Sequence, residues 1–364
     1  MRTALLWILS AAIPCLAFAT QKPARKAPAS LSEDDVLEQA LREAGSSPVE
    51  YARALERHLQ RYPDSSNREE ILRALAQAAL EQKDSRRILL YGLPVLEQGS
   101  ESVSLHDAVC RALIERNGEG DPARAAEVAR RMSGLVEEQR KRLSGERGFS
   151  ASRARRLDDL ASLAARSALH EARALRLMGD VAAAHAALDR GWDSAALEDL
   201  ARERCLLFET AGKPADAAAA LADAIATGGL DLTSPEDRQK LIRLAGEQAG
   251  PLLLAAWARS EERNRQRVAR LRQVDPNFGA KEILDFTLSA VEGEPLSLRS
   301  LLGKVVVIDF WATWCGPCRA QHPLYEQVKK RFAGRDDVVF LAVSTDENRE
   351  SVRPFLESMG WSKA

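Results

Sequence analysis

The run Val305-Val306-Val307-Ile308-Asp309-Phe310-Trp311-Ala312-Thr313-Trp314-Cys315-Gly316-Pro317-Cys318 constrains this chain more than any other stretch. Six apolar-dominated residues make a strand, and the pattern from Pro317 to about Phe332 is helical. A Cys-x-x-Cys pair sits at the junction. Cysteines at that spacing can close a small disulfide ring. The unpaired N–H groups and the dipole of a helix N-terminus stabilise a thiolate on the first of them. The run therefore marks a redox centre built on α/β architecture.

The neighbouring pattern extends that architecture. Phe286, Leu288 and Ala290 alternate with polar residues, Glu292-Gly293-Glu294-Pro295 turns the chain, and Leu296 and Leu298 alternate again. This spacing predicts a β-hairpin. The unbroken apolar run Val305–Phe310 predicts a strand buried on both faces, and Val338–Val343 predicts a second. A further helix is expected over Asn348–Met359.

Upstream, the pattern is helical from Ser32 to about residue 270. Ser32 can cap a first helix whose opening turn holds Glu33, Asp34 and Asp35, where the dipole favours acids. Ile71, Leu72, Leu75 and Ala79 mark one apolar face. Breaks recur at Gly45–Pro48, Tyr62–Asp64, Gly99-Ser100, Gly118–Pro122, Gly179-Asp180 and Gly212–Pro214. A period of 33 residues relates Leu175, Gly179, Ala184 and Leu188 to Phe208, Gly212, Ala217 and Leu221. Gly120 and Ala125 suggest a third copy. In each copy a glycine ends one helix, a small residue lets the next approach, and a large apolar residue fills the gap. The charged stretch 137–158 reads as a solvated long helix, with a basic partner-binding patch as the alternative. Glu261 and Glu262 both stand at pairing distance in sequence from Arg265. Asp275-Pro276-Asn277-Phe278-Gly279 then breaks the last helix, and the domain boundary falls there.

Two resemblances follow from these motifs. The 33-residue pattern is similar to the tetratricopeptide (TPR) repeat, although the large aromatic near the repeat start is missing. Such arrays present a binding surface for a protein partner. Phe286–Leu288, Gly293–Leu298, Gly303–Val306, Asp309–Arg319, Pro323 and Val343–Asp346 resemble the TlpA/ResA type of thioredoxin-like protein over roughly residues 277–360. That resemblance implies an exported thiol–disulfide oxidoreductase needing no metal or cofactor. The Gly-Pro dipeptide between the cysteines leans it towards a reductant. Cys315, as helix cap, would attack a substrate disulfide, and Cys318, one turn in, would resolve the mixed disulfide. Asp309 matches the buried acid that accepts a proton from the second cysteine. Trp314, Gly316 and Pro317 are the candidate substrate-binding residues, with Pro317 also stiffening the first turn. Gln321 stands where the family often has Glu, and His322 replaces a usually apolar residue and is expected to face solvent. The family's fold continues through two more strands, a cis-proline loop and a last helix. The resemblance therefore predicts an incomplete thioredoxin-like domain with an open edge on the 305–308 strand.

Alternatives differ in chemistry. Zinc would want a second Cys or His pair at ligand spacing, and haem attachment wants His where Arg319 stands. A redoxin-type peroxidase wants Thr or Ser three residues before the reactive cysteine and Pro seven before; Ala312 and Ile308 occupy those places. A helical-repeat scaffold with an inactive, truncated redox tail is the remaining reading.

The N-terminus points to export. Arg2, the apolar run Ala4–Ile13 and Ala17-Phe18-Ala19 form a signal peptide over residues 1–19, with which Cys15 would leave. Residues 20–30 are a Pro/Ala/Lys tether. No membrane span is expected after signal cleavage. Cys110 and Cys205 fall in helical patterns and are read as small buried hydrophobes. With 52 basic and 53 acidic residues, the chain has no charge excess to attract nucleic acid. The expected organisation is a signal peptide (1–19), a tether (20–30), an α-helical TPR-like array (31–275) and an incomplete α/β thioredoxin-like domain (276–364) in an extracytoplasmic, periplasm-like compartment. Protein thiols or disulfides would be its substrates, and an unidentified reductant would recharge it.

Overall fold

A computed structural model describes residues 32–146, 150–229, 234–346 and 348–361. The expected signal peptide, Cys15 and the tether lie outside the described residues. Packing divides the chain into two units between Ala78 and Ala79. This division falls within the helical region, upstream of the change from helix to strand near Asp275.

In the first unit, Ser32 caps helix α1 (Glu33–Ala44) through a reciprocal capping box with Asp35. Ser47 and Pro48 start α2 (Pro48–Arg61), which buries Ala52, Ala54, Leu55 and His58. Helix α3 (Arg68–Gln82) runs across the division, and its stripe Ile71, Leu72, Leu75 and Ala79 is buried as its spacing predicts.

The second unit opens with α4 (Ser85–Arg87), a π-helical turn over Ile88–Gly92 and α5 (Leu93–Glu97). It continues through α6 (Val103–Arg116), α7 (Asp121–Ser144), α8 (Ala151–Leu177), α9 (Val181–Ser194), α10 (Glu198–Thr210), α11 (Pro214–Gly228), α12 (Pro235–Ala245) and α13 (Ala249–Arg272). Helices adjacent in sequence pack on one another, α6 on α7, α7 on α8, α8 on α9 and α10 on α11. That is the one-dimensional logic of an array.

The 33-residue correspondence is visible in its turns. Gly179 (φ 82°) and Gly212 (φ 67°) both take the left-handed conformation that ends a helix at little steric cost. Asp180 then caps α9 by accepting the Ala183 N–H, and Pro214 opens α11 at its first position. Ala184 and Ala217, and Leu188 and Leu221, are buried in equivalent places. Cys205 is buried with Ala217, Leu221 and Ile225, the small-hydrophobe role expected of it. Cys110 is likewise buried, its thiol near the Ala125 carbonyl.

The charged stretch 137–158 is not one helix. Helix α7 stops at Ser144 and α8 starts at Ala151, where the Ser150 hydroxyl accepts the Arg153 N–H. Gly145 and Ser150 are local stop and start signals that outweigh the continuous charge pattern. The charges before the break pair along α7, Glu137 with Arg140 and Glu138 with Arg142. On α13, Arg265 bonds Glu262 rather than Glu261.

After α13 the chain is tied back before it changes architecture. The Val274 carbonyl accepts from Ser150 N (3.0 Å), and Arg272 donates to the Phe278 carbonyl (3.1 Å). Asn277 then brackets Thr287, accepting its N–H at 2.7 Å and donating to its carbonyl at 3.0 Å. Strands β1 (Thr287–Leu288) and β2 (Leu296–Ser297) pair antiparallel as the expected hairpin, although only two residues of each are paired. Strand β3 (Val305–Trp311), helix α14 (Gly316–Arg331) and strand β4 (Val338–Ser344) form a parallel βαβ unit, registered from Val305↔Val338 to Trp311↔Ser344. A short 3-10 turn leads into α15 (Val352–Ser358). Arg353 donates to the Val291 carbonyl and so ties the start of α15 to the hairpin loop.

Strand β3 is not buried on both faces. Val305 is 60 %, Val307 37 % and Phe310 64 % exposed. Side chains stand above and below a sheet, so this exposure means that the faces of β3 are incompletely covered; at its edges, β3 pairs with β4 on one side and, among the described residues, with nothing on the other. An apolar run alone cannot say what will pack on its two faces. No helix of the described residues is long and apolar enough to cross a membrane.

Candidate redox site

The C-terminal ends of parallel strands β3 and β4 point towards the start of α14. Between Trp311, the last residue of β3, and Gly316, the first of α14, the chain makes a tight turn closed by Cys315 N donating to the Ala312 carbonyl at 3.0 Å. Cys315 is the N-cap of α14, with extended backbone (φ −80°, ψ 97°). Its sulfur is disulfide-bonded to Cys318, with a Cα–Cα distance of 5.3 Å. The same sulfur accepts the Cys318 backbone N–H at 3.2 Å. A cap atom normally is the oxygen of Ser, Thr, Asp or Asn; here a sulfur takes that place.

Local chemistry favours negative charge at this cap. The first turn of α14 has no acidic residue, and Lys329, Lys330 and Arg331 crowd the last turn, where cations suit the dipole. Pro317 removes one donor that would otherwise go unused. In the reduced form, the helix N-terminus and the Cys318 N–H both stabilise a Cys315 thiolate. Both cysteines are half-buried, and Gly316, Pro317 and Trp314 are exposed around them. Trp314 is 77 % exposed and forms the rim. Trp311 is buried instead, stacked on Phe355 and edge-on to Trp361.

Asp309 lies half-buried in β3, opposite Ala342 in register. Its carboxylate makes no hydrogen bond or ion pair among the described residues. Its charge is felt by Tyr325 on α14, whose phenol is pushed up to about 12, first by burial and then by Asp309 and Glu326. The cysteines are thus brought together at the start of α14, and Asp309 lies in β3, the strand that leads into them.

Two features escaped the sequence pattern. His322 is half-buried rather than freely exposed: its ring stacks on Trp361, with centroids 3.6 Å apart. The second feature is Asp346, just past β4. Its carboxylate accepts the Thr313 N–H (3.0 Å), the Thr313 hydroxyl (2.7 Å) and the Ser344 hydroxyl (2.7 Å). Burial works to raise its pKa, but the hydrogen bonds from Ser344 and Thr313 prevail and hold it below the usual carboxylate range. A Ser-Thr-Asp cluster after a strand is a turn signal, and in the sequence Val343–Asp346 stands out only as part of the family resemblance.

Residues 279–362 match the family described as Redoxin. A thioredoxin-like protein of Bacillus subtilis, YneN, is 39 % identical over 75 residues, covering 20 % of this chain and 44 % of the relative. The thiol–disulfide oxidoreductase ResA of Bacillus thuringiensis is 31 % identical over 80 residues, covering 22 % and 46 %. The chain thus spans less than half the length of either relative. A crystal structure of a thermophilic TPR protein from Thermus thermophilus covers 59 % of this chain at 16 % identity, with a TM-score of 0.32. An overlay that loose adds nothing to the helical fold described above.

Proposed function

We propose that the Redoxin-type unit exchanges disulfides with protein thiols through Cys315 and Cys318, acting as a reductant outside the cytoplasm. The observation that carries this reading is the cap: a cysteine sulfur sits at the N-terminus of α14, disulfide-bonded to a cysteine one turn inside. In the reductive direction, the Cys315 thiolate attacks one sulfur of a substrate disulfide and displaces the other as a thiolate. Cys318 then loses its proton and attacks the Cys315 sulfur, releasing the second substrate thiolate. The substrate gains two electrons and the pair is left as the disulfide seen here. A dithiol reductant recharges the protein by running both exchanges in reverse: one of its thiolates attacks the Cys315 sulfur and frees Cys318, and its second thiol then displaces Cys315, leaving the reductant as a disulfide. In this scheme Asp309 takes the proton from Cys318, and Trp314, Gly316 and Pro317 face the substrate.

Export is supported by the charged, apolar and small-residue pattern of residues 1–19. The helical array would hold a protein partner, a role that suits stacked helices with continuous surfaces. The test is a redox titration of the full chain against a thiol buffer, read by mass-tagging of free thiols. A single two-electron transition of Cys315 and Cys318 together is expected, nearer the thioredoxin value of about −270 mV than the strongly oxidising value of about −120 mV. A pair that never exchanges with the buffer would refute the reading and leave a structural disulfide.

A further inference from the structure

Only Ala312, Thr313 and Trp314 separate the end of β3 from Cys315, so the direction of the Cys315 sulfur depends on how this short turn is held. One bond inside the turn, Cys315 N to the Ala312 carbonyl, closes it but does not fix it to the rest of the unit. The fixing comes from the segment after β4. Thr345 donates its N–H (2.8 Å) and its hydroxyl (3.2 Å) to the Trp311 carbonyl. The Asp346 carboxylate receives the N–H of Thr313, the central residue of the turn, across both oxygens, the Thr313 hydroxyl on Oδ1 and the Ser344 hydroxyl on Oδ2. Asp346 also donates its own N–H to the Ser344 hydroxyl at 3.1 Å. Side chain and backbone of one threonine, two residues before the reactive cysteine, are therefore gripped by one half-buried carboxylate that forms no ion pair among the described residues.

We infer that Asp346 is a positioning residue for the dithiol centre: through Thr313 it holds the turn that aims the Cys315 sulfur at an incoming disulfide. This inference rests on the redox reading of the pair proposed above. An ion pair for Asp346 would have explained its burial as charge balance. Instead its partners among the described residues are neutral donors, the Thr313 N–H and hydroxyl and the Ser344 hydroxyl. In-line attack on a disulfide is sensitive to placement, and a misplacement near 1 Å can cost on the order of 100-fold in rate.

The experiment uses the full chain, pre-reduced, with dithiobis(2-nitrobenzoate) as the disulfide probe and native, Asp346→Ala, Asp346→Asn and Thr313→Val proteins. A second readout is the pH midpoint of Cys315 alkylation, measured with Cys318→Ser added to each. Asp346→Ala should react about 10- to 100-fold more slowly with its helical circular dichroism intact, and its alkylation midpoint should rise as the sulfur leaves the helix axis. Asp346→Asn keeps an acceptor for Thr313 and should recover to within about threefold of native. Thr313→Val, which removes one hydroxyl and keeps the N–H, should fall in between; it serves if Asp346→Ala does not fold. Native rates and midpoints in Asp346→Ala, or in Thr313→Val where Asp346→Ala is unfolded, would overturn the inference. So would an Asp346→Asn protein as slow as Asp346→Ala, because charge and not position would then be at work. If the native protein exchanges no disulfide but Asp346→Ala still shifts the alkylation midpoint, the proposed function fails and the positioning role stands.

Discussion

The Cys318 backbone N–H donates to the Cys315 sulfur across 3.2 Å, one turn into α14. This is the contact a helix cap makes with its side-chain acceptor, and it survives as a charge-assisted bond once the disulfide is reduced. The two thiols should therefore differ. Cys315 should titrate well below the ordinary thiol value of about 8.5, and Cys318 above Cys315. Alkylation rates against pH, followed by mass spectrometry of each cysteine peptide, check this. Equal midpoints for both would contradict it.

Cys110 and Cys205 should be silent in the native protein. Burial pushes both thiols up, and the Asp107 charge adds to it at Cys110. With the disulfide intact, N-ethylmaleimide should label neither until denaturant is added. Rapid labelling of either in native buffer would show that the array opens there.

Close packing in the array should make one glycine irreplaceable. A Cβ on Gly191 of α9 would stand 2.9 Å from Leu200 Cδ2, 3.0 Å from Ala168 Cβ and 3.2 Å from the Ala165 carbonyl oxygen. The last is backbone and cannot step aside cheaply. Gly191→Ala should destabilise the protein by about 1–3 kcal/mol. Gly134, inside α7 with nothing within 4 Å of its added Cβ, is the control. There alanine should stabilise by up to about 1 kcal/mol through helix propensity. Urea melts of both variants decide the matter; a neutral Gly191→Ala would mean that the α8–α9 crossing is looser than described.

Acid should loosen the turn before Cys315. The folded pKa of Asp346 is depressed, so its contribution is fully present above the ordinary carboxylate value of about 3.9 and is lost as pH falls through the lower folded value. Amide exchange of Thr313, corrected for intrinsic rate, should stay slow from neutrality to about pH 4 and accelerate below. Asp346→Asn should remove that acid step. Loosening already at pH 6 would point to another group.

What was legible in the sequence was chemistry that acts locally. Gly179, Asp180, Gly212 and Pro214 specify their turns by backbone freedom and capping, and the helices begin and end as those residues dictate. Cys315 at a strand–helix junction is the same kind of signal. What was hidden depends on partners far along the chain. The exposure of Val305 and Phe310 reflects what packs on the faces of β3, which no run of valines encodes. His322 lies against Trp361, 39 positions away in the numbering, and Asp346 reaches back 33 residues to Thr313. Neither contact leaves a periodic trace. The charged stretch 137–158 misled for the opposite reason, because its composition is continuous although its backbone is interrupted.

The central claim is that Cys315 attacks and Cys318 resolves. Its most direct measurement is trapping: reduced full-length Cys318→Ser and Cys315→Ser proteins are each mixed with an excess of a disulfide-bonded protein such as insulin, quenched in acid and resolved without reductant. Mixed disulfides should accumulate on Cys315 in Cys318→Ser and be nearly absent in Cys315→Ser. Equal trapping by both variants, or trapping through Cys318 alone, would contradict the account.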